Sequence, residues 1–308
     1  MRGAMVNCNQ VQTEVITEGR WIEEEPLPHS TKQVVLVITG NPGLPGFYES
    51  FIKAINSKLS FDTPVWVVGH AGHVQPPENL DIAMPSNKKW RDHYGLTAQV
   101  QHKAEFIKTY VPEDVQLYLI GHSIGAWVLL NLLRDPDINK RVKKCYMLFP
   151  TIEYMAETRN GRIFHNIISR VAPLWIFLSW FFTTIFPSFL QTFMISVFSF
   201  FYGIPAKYNK VVQKMLDPRV LYRIINLAKE ELKYIKEADH ETISKYSDKL
   251  WFYYGTIDGW VPVRYYKNMM TKHPNLNAQL CQRGFYHSFV LKNDVDMGHI
   301  VGELINNE

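Results

Sequence analysis

Cysteine is scarce: Cys8, Cys145 and Cys281 are the only three in 308 residues, and no two stand at metal-ligand or redox spacing. That excludes a disulfide scaffold and reads as reduced thiols in a protein facing the cytosol. Neither sign of charge is in large excess, with 33 Lys and Arg against 29 Asp and Glu, so the balance gives no argument for nucleic acid. Charged residues make up 20% of the chain and the mean hydropathy is −0.15. The first figure comes with too much apolar residue for a disordered chain, and the second excludes a polytopic membrane protein. Met1 to Glu14 lack the apolar core of a secretory leader and the Met-Gly start of a myristoylated protein, so neither is expected. Internal repeats and low-complexity tracts are also missing.

What is present is an alternation of buried strands and helices. Val34–Ile38 is a five-residue apolar run ending at Thr39-Gly40-Asn41-Pro42-Gly43, and it reads as a strand buried on both faces. Pro64–Gly69, Leu117–Ile120, Cys145–Phe149, Leu250–Tyr254 and Asn277–Cys281 repeat the pattern. Helices are predicted around Tyr48–Leu59, Thr97–Tyr110 and Ile124–Arg134, with a terminal one capped by Asn293. This order predicts an α/β fold, a mainly parallel sheet with helices on both faces. About a hundred residues separate two successive strands, far beyond a usual connection. The expected organisation is therefore a core of residues 1–150 and 250–308 interrupted by an inserted helical cap, 151–249. Leu221, Ile224, Ile225, Ala228, Leu232 and Ile235 share one helical face there, as expected of cap packing.

Gly121-His122-Ser123-Ile124-Gly125 closes a predicted strand and opens a predicted helix. A sharp turn at that junction needs glycines on either side and lifts the Ser123 hydroxyl to the carboxyl end of the sheet. A serine hydroxyl is a poor nucleophile at neutral pH and needs a base oriented by a carboxylate. In this strand order the acid follows the next-to-last strand, where Asp258 stands, and the base follows the last, where His287 stands. Asp248 and His273 precede those strands, and His299 lies inside the terminal helix, so all three fit less well. Two backbone N–H groups should receive the developing oxyanion, at Ile124 and at Asn41 in the glycine-rich loop. His70 and His73 invite a metal reading, but nothing completes a site, and they read as structural loop histidines. No metal, nucleotide or organic cofactor is expected.

Between Arg170 and Lys207 no residue is charged, and these 36 positions, 171–206, hold twelve of the chain's 42 aromatics. Pro173, Pro187 and Pro205 divide them into two apolar arms, Leu174–Phe186 and Ser188–Ile204. At ~1.5 Å per residue the arms reach only ~20 and ~26 Å, short of a ~30 Å hydrocarbon core. A hairpin that enters and leaves a lipid surface by one face is the expectation, with a wholly buried cap as the alternative.

Together these segments resemble the lipid droplet-associated hydrolase family of the α/β-hydrolase superfamily. The resemblance rests on Gly40-Asn41-Pro42-Gly43, His70-Ala71-Gly72-His73, Tyr94-Gly95-Leu96, Gly121-His122-Ser123-Ile124-Gly125, Phe149-Pro150-Thr151-Ile152-Glu153 and Phe252-Tyr253-Tyr254-Gly255-Thr256-Ile257-Asp258. It implies an α/β-hydrolase fold and a serine hydrolase of neutral-lipid esters, sterol esters first. It also implies action at the cytosolic face of lipid droplets and the endoplasmic reticulum membrane, with nucleophile, acid and base at Ser123, Asp258 and His287. The rival expectation is a droplet-surface binding or scaffold protein that keeps the fold with little activity.

Overall fold

The apolar runs become strands of one sheet. A computed structural model describes residues 1–21, 33–59, 63–77 and 82–308. Its strands are β1 (Arg2–Cys8), β2 (Val11–Glu18), β3 (Gln33–Ile38), β4 (Val65–Val68), β5 (Gln116–His122), β6 (Val142–Leu148), β7 (Leu250–Tyr254) and β8 (Asn277–Leu280). Their order across the sheet is β1-β2-β4-β3-β5-β6-β7-β8. Strands β3 to β8 run parallel, as expected. The sequence reading places no element before Val34, and the structure corrects this. β1 and β2 form an antiparallel hairpin that extends the sheet through β4. Asn9 and Gln10 turn it with φ of 49° and 61°. Positive φ at both central residues is the hairpin turn that matches strand twist, and Gln10 lacks the glycine that usually announces it.

The principal helices are α1 (Glu49–Asn56), α2 (Leu96–Tyr110), α3 (Ile124–Leu132), α4 (Ala172–Ile185), α5 (Ser188–Tyr202), α6 (Asn209–Met215), α7 (Pro218–Tyr234), α8 (Val263–Lys272) and α9 (Asp294–Asn306). Asn293 stands at the start of α9, but its side chain makes no capping bond. β3 shows why the central strands are apolar throughout. Val34, Leu36 and Ile38 face one core with Phe106 and Leu129 of α2 and α3. Val35 and Val37 face the other with Phe51 of α1 and Val301 of α9. A strand buried on both faces cannot alternate polar residues, and its carboxyl end is where the connecting loops gather a site.

The uncharged stretch folds as α4 and α5, broken at Phe186-Pro187 where expected. Its polarity is reversed relative to a soluble helix. The inward positions hold Ala172, Ser179, Gln191, Ile195 and Ser199, while Phe200 is 82% exposed, Phe201 78% and Phe189 74%. Two of the three inward polar side chains find partners inside, the Ser199 hydroxyl having none among the described residues. Ser179 Oγ donates to the Leu216 carbonyl, and Gln191 Nε2 donates to the carbonyls of Thr183 at 3.1 Å and Phe186 at 2.7 Å. Gln213 Nε2 in turn donates to Gln191 Oε1 at 3.2 Å. A wholly buried cap is thereby contradicted. α4 packs mainly on α7 and α5 on α6, more than on each other. Among the described residues no single helix is long and apolar enough to cross a membrane. Residues Arg159–Ile168 and Ala172–Ile185 together reach that length and composition, but with a 73° bend between them.

Candidate active site

Ser123 sits between β5 and α3 with φ 54° and ψ −119°, a conformation rare for a residue with a side chain. The turn closes only because its flanks are glycine. A Cβ at Gly121 would lie 2.7 Å from the Ala126 nitrogen, and one at Gly125 would lie 2.4 Å from the Ile38 carbonyl oxygen. This is a strained strand-to-helix turn, and it lifts the Ser123 side chain to the carboxyl end of the sheet.

The three residues singled out from sequence order meet here. Ser123 Oγ lies 2.9 Å from His287 Nε2. His287 Nδ1 lies 2.7 Å from Asp258 Oδ2. The other carboxylate oxygen, Asp258 Oδ1, accepts the Trp260 N–H at 2.7 Å and the Val261 N–H at 3.0 Å. The Asp258 side chain is fully buried. With Nδ1–H donated to Asp258, Nε2 is left as an acceptor for the Ser123 hydroxyl. Asp248 is exposed on the turn before β7, and His273 instead pairs with His240 at 2.9 Å.

The loop after β3 lies against the serine. A Cβ at Gly40 would meet Ser123 Cβ at 3.0 Å, so Asn41 follows directly on the closest approach. His73 Nδ1 donates to the Pro42 carbonyl at 2.7 Å, and the His70 N–H donates to the Gly43 carbonyl at 3.0 Å. The two histidines therefore brace this loop. Burial pushes His73 down to about 3, which keeps it neutral. Ile124 opens α3, so its N–H belongs to the unpaired donors of a helix start.

Several participants were not singled out from sequence. Tyr48 OH accepts the Gly40 N–H at 2.7 Å and stands 2.6 Å from His122 Nδ1. His122 Nε2 reaches the His287 carbonyl at 2.9 Å. Burial lowers His122 to about 3, so it is a neutral strut. Thr151 Oγ1 is 3.3 Å from Ser123 Oγ. Glu231 on α7 accepts a 2.9 Å bond from Asn41 Nδ2, which also donates to the Ile224 carbonyl at 3.1 Å. The signal for Glu231 was legible: it falls in the same helical stripe as Ala228 and Leu232.

Above Ser123 and His287 opens a cavity of about 500 Å³, within the range of ligand pockets. Leu221, Ile224, Ile225 and Ala228 of α7 line it, so the face expected only to pack the cap also faces the candidate site. Ile168 and Trp175 line its outer part while remaining 38% and 52% exposed on the apolar surface. Cavity and apolar face are therefore continuous.

The profile of the family described as "Lipid-droplet associated hydrolase" matches residues 31–290. The chain belongs to that family. Among its relatives, the Drosophila melanogaster "Lipid droplet-associated hydrolase" is 39% identical over 305 residues, covering 99% of this chain and 98% of that one. The Mus musculus protein of the same name is 34% identical, covering 97% and 93%. Solved structures carry the fold at lower identity. A carboxylesterase from Nitrososphaera gargenis superposes with a TM-score of 0.64 at 13% identity, covering 98% of this chain and 97% of that one. An esterase from Exiguobacterium antarcticum gives 0.59 at 13% identity, covering 99% of each. The family member described here thus has an α/β-hydrolase fold, as the resemblance implied.

Proposed function

We propose that the protein is a serine hydrolase of neutral-lipid esters acting at a lipid surface. His287 takes the proton of Ser123 while Asp258 holds the imidazole in the required tautomer. The alkoxide attacks the acyl carbonyl, and the N–H groups of Ile124 and Asn41 receive the oxyanion. The alcohol leaves with the proton returned by His287. Water, deprotonated by the same base, then releases the fatty acid. Each step uses side chains, backbone donors and water.

The observation that carries this reading is the sharing of Ile168 and Trp175 between the cavity above Ser123 and the exposed apolar face. An ester acyl chain entering past them stays in apolar surroundings throughout. Residues 171–206 are the surface we assign to the lipid, with Arg170 before them and Lys210 after them suited to headgroups, Lys207 being paired with Asp294. Droplet monolayer and endoplasmic reticulum membrane, approached from the cytosol, are the surfaces this arrangement fits. Sterol esters are the substrate that the family resemblance favours.

The test is turnover by purified protein of cholesteryl oleate, triolein and p-nitrophenyl butyrate, with Ser123→Ala as the blank. Turnover above the blank, and labelling by a fluorophosphonate probe that the variant loses, are expected. Turnover no higher than the blank on every ester would favour a lipid-binding protein that retains the fold.

A further inference from the structure

The cavity is apolar except at its base, where Asn41, Ser123 and His287 meet one further ionisable side chain, Glu231. The Ser123 scheme does not use this residue. It is only 1% exposed, and Oε1 accepts the Asn41 Nδ2–H at 2.9 Å. Among the described residues the carboxyl bonds no other protein group. Burying a carboxylate without a cation is costly, and a protonated carboxyl is the cheaper state. Burial indeed raises Glu231 to about 7. A neutral carboxyl offers an O–H donor beside a carbonyl acceptor, the complement of an alcohol, which is itself donor and acceptor.

The neutral-lipid esters differ in whether they can answer such a group. A sterol ester has only the scissile ester, whose oxygens the oxyanion donors and leaving-group proton engage. A mono- or diacylglycerol keeps a free hydroxyl close to the scissile bond. Leaving a buried polar group unpaired is what makes a site reject the ligand lacking its partner.

We propose that Glu231 is a specificity-determining residue whose carboxyl takes a free hydroxyl on the alcohol portion of the ester, selecting mono- and diacylglycerols over sterol esters. This deepens the Ser123 reading, on which it rests for the reaction, and puts an ester with a free hydroxyl in place of the sterol ester that the family resemblance favours, while the binding preference stands apart from catalysis.

Two measurements test it. The first is kcat/KM of wild type, Glu231→Leu and Glu231→Gln on 1-monooleoylglycerol, methyl oleate and cholesteryl oleate in the same mixed micelles. Wild type should favour monooleoylglycerol over methyl oleate by about tenfold, the effect of one buried hydrogen bond. Glu231→Leu should erase that preference, bringing the ratio of the two kcat/KM values to within twofold of one whatever the absolute rates, and Glu231→Gln should restore most of it. An equal fall on all three esters would overturn the proposal and leave Glu231 as a support for Asn41. No preference in wild type would overturn it as well.

The second uses Ser123→Ala protein and intrinsic tryptophan fluorescence, to which Trp175 and Trp260 of the cavity contribute. Monooleoylglycerol should bind about tenfold more tightly than methyl oleate, and the difference should vanish in Ser123→Ala/Glu231→Leu. If wild type hydrolyses nothing yet this difference is found, the Ser123 reading fails and the hydroxyl site stands. If the difference is absent, the hydroxyl site fails whatever the hydrolysis.

Discussion

His122 donates its Nε2–H to the backbone carbonyl of His287 across 2.9 Å, so the residue beside Ser123 holds the loop that carries its candidate base. Its other nitrogen accepts from Tyr48, whose oxygen accepts the Gly40 N–H. One neutral imidazole thus ties together the turn at Ser123, the loop of Asn41 and the loop of His287.

His122→Phe fills the same buried space without either hydrogen bond. The His287 loop should then drift, and kcat on p-nitrophenyl butyrate should fall about 10- to 100-fold with little change in KM, the effect of small misplacement. Steady-state kinetics decide it. An unchanged kcat would mean that the loop holds its place without His122.

Asp258→Asn keeps an acceptor for the Trp260 and Val261 N–H groups and so should fold normally. The amide can pair with His287 in the wrong tautomer, putting a proton where Ser123 needs an acceptor. A fall in kcat of about 10⁴-fold is the precedent for this exchange in serine triads. Thermal melting should be nearly unchanged. A variant retaining more than a tenth of the activity would remove Asp258 from the proposed relay.

Gly125→Ala places a methyl, whose position the backbone fixes, 2.4 Å from the Ile38 carbonyl oxygen, itself backbone. Neither can turn aside as a flexible side chain would. Overpacking of this kind costs about 1–3 kcal/mol, and urea unfolding should report a loss of at least that size together with loss of activity. Wild-type stability would show that the turn at Ser123 is looser than described.

Glu231 also makes stability depend on pH. Its folded value, about 7, lies above its ordinary value of 4.5, so the folded protein keeps a proton that the unfolded chain releases. The contribution is fully present below about pH 4.5 and is lost as pH rises through about 7. Glu231→Gln cannot titrate, so its stability relative to wild type should rise between pH 4.5 and pH 8, by roughly 3 kcal/mol. Urea unfolding of both proteins at the two pH values checks this. A constant difference would show that the carboxyl ionises as freely in the fold as in water.

Phe200 and Phe201 are 82% and 78% exposed at the end of α5. Phe200→Ser/Phe201→Ser removes two rings that a lipid surface would cover, each contributing about 1.5–3 kcal/mol when fully buried. Flotation with phosphatidylcholine vesicles should fall at least about tenfold while the melting temperature holds. Undiminished flotation would move the lipid contact to another face.

The parallel sheet was legible because fully buried strands write themselves as short apolar runs, as in Val34–Ile38. The hairpin of β1 and β2 was not, since an antiparallel edge with Gln12, Thr13 and Glu14 between Val11 and Val15 has no such run. Ser123 was legible from its glycines, and Asp258 and His287 from their places after β7 and β8. Tyr48 and His122 were hidden for another reason: they pair with each other across 74 positions, and their further partners, Gly40 and the His287 carbonyl, are backbone groups that carry no residue signature.

By itself the sequence determined the local terms: which runs must be buried, where a turn admits only glycine, and that residues 171–206 carry no charge. Those follow from side-chain chemistry and spacing along one chain. The tertiary structure alone decided which way the uncharged stretch faces. Ser179 and Gln191 turn inward because Leu216 and Gln213, more than twenty residues later, offer their hydrogen bonds there. A buried amide or hydroxyl loses its water and gains from a partner inside, as Ser179 and Gln191 do, whereas an aromatic ring needs none. The partnered side of α4 and α5 therefore meets the protein, and the rings are left outside.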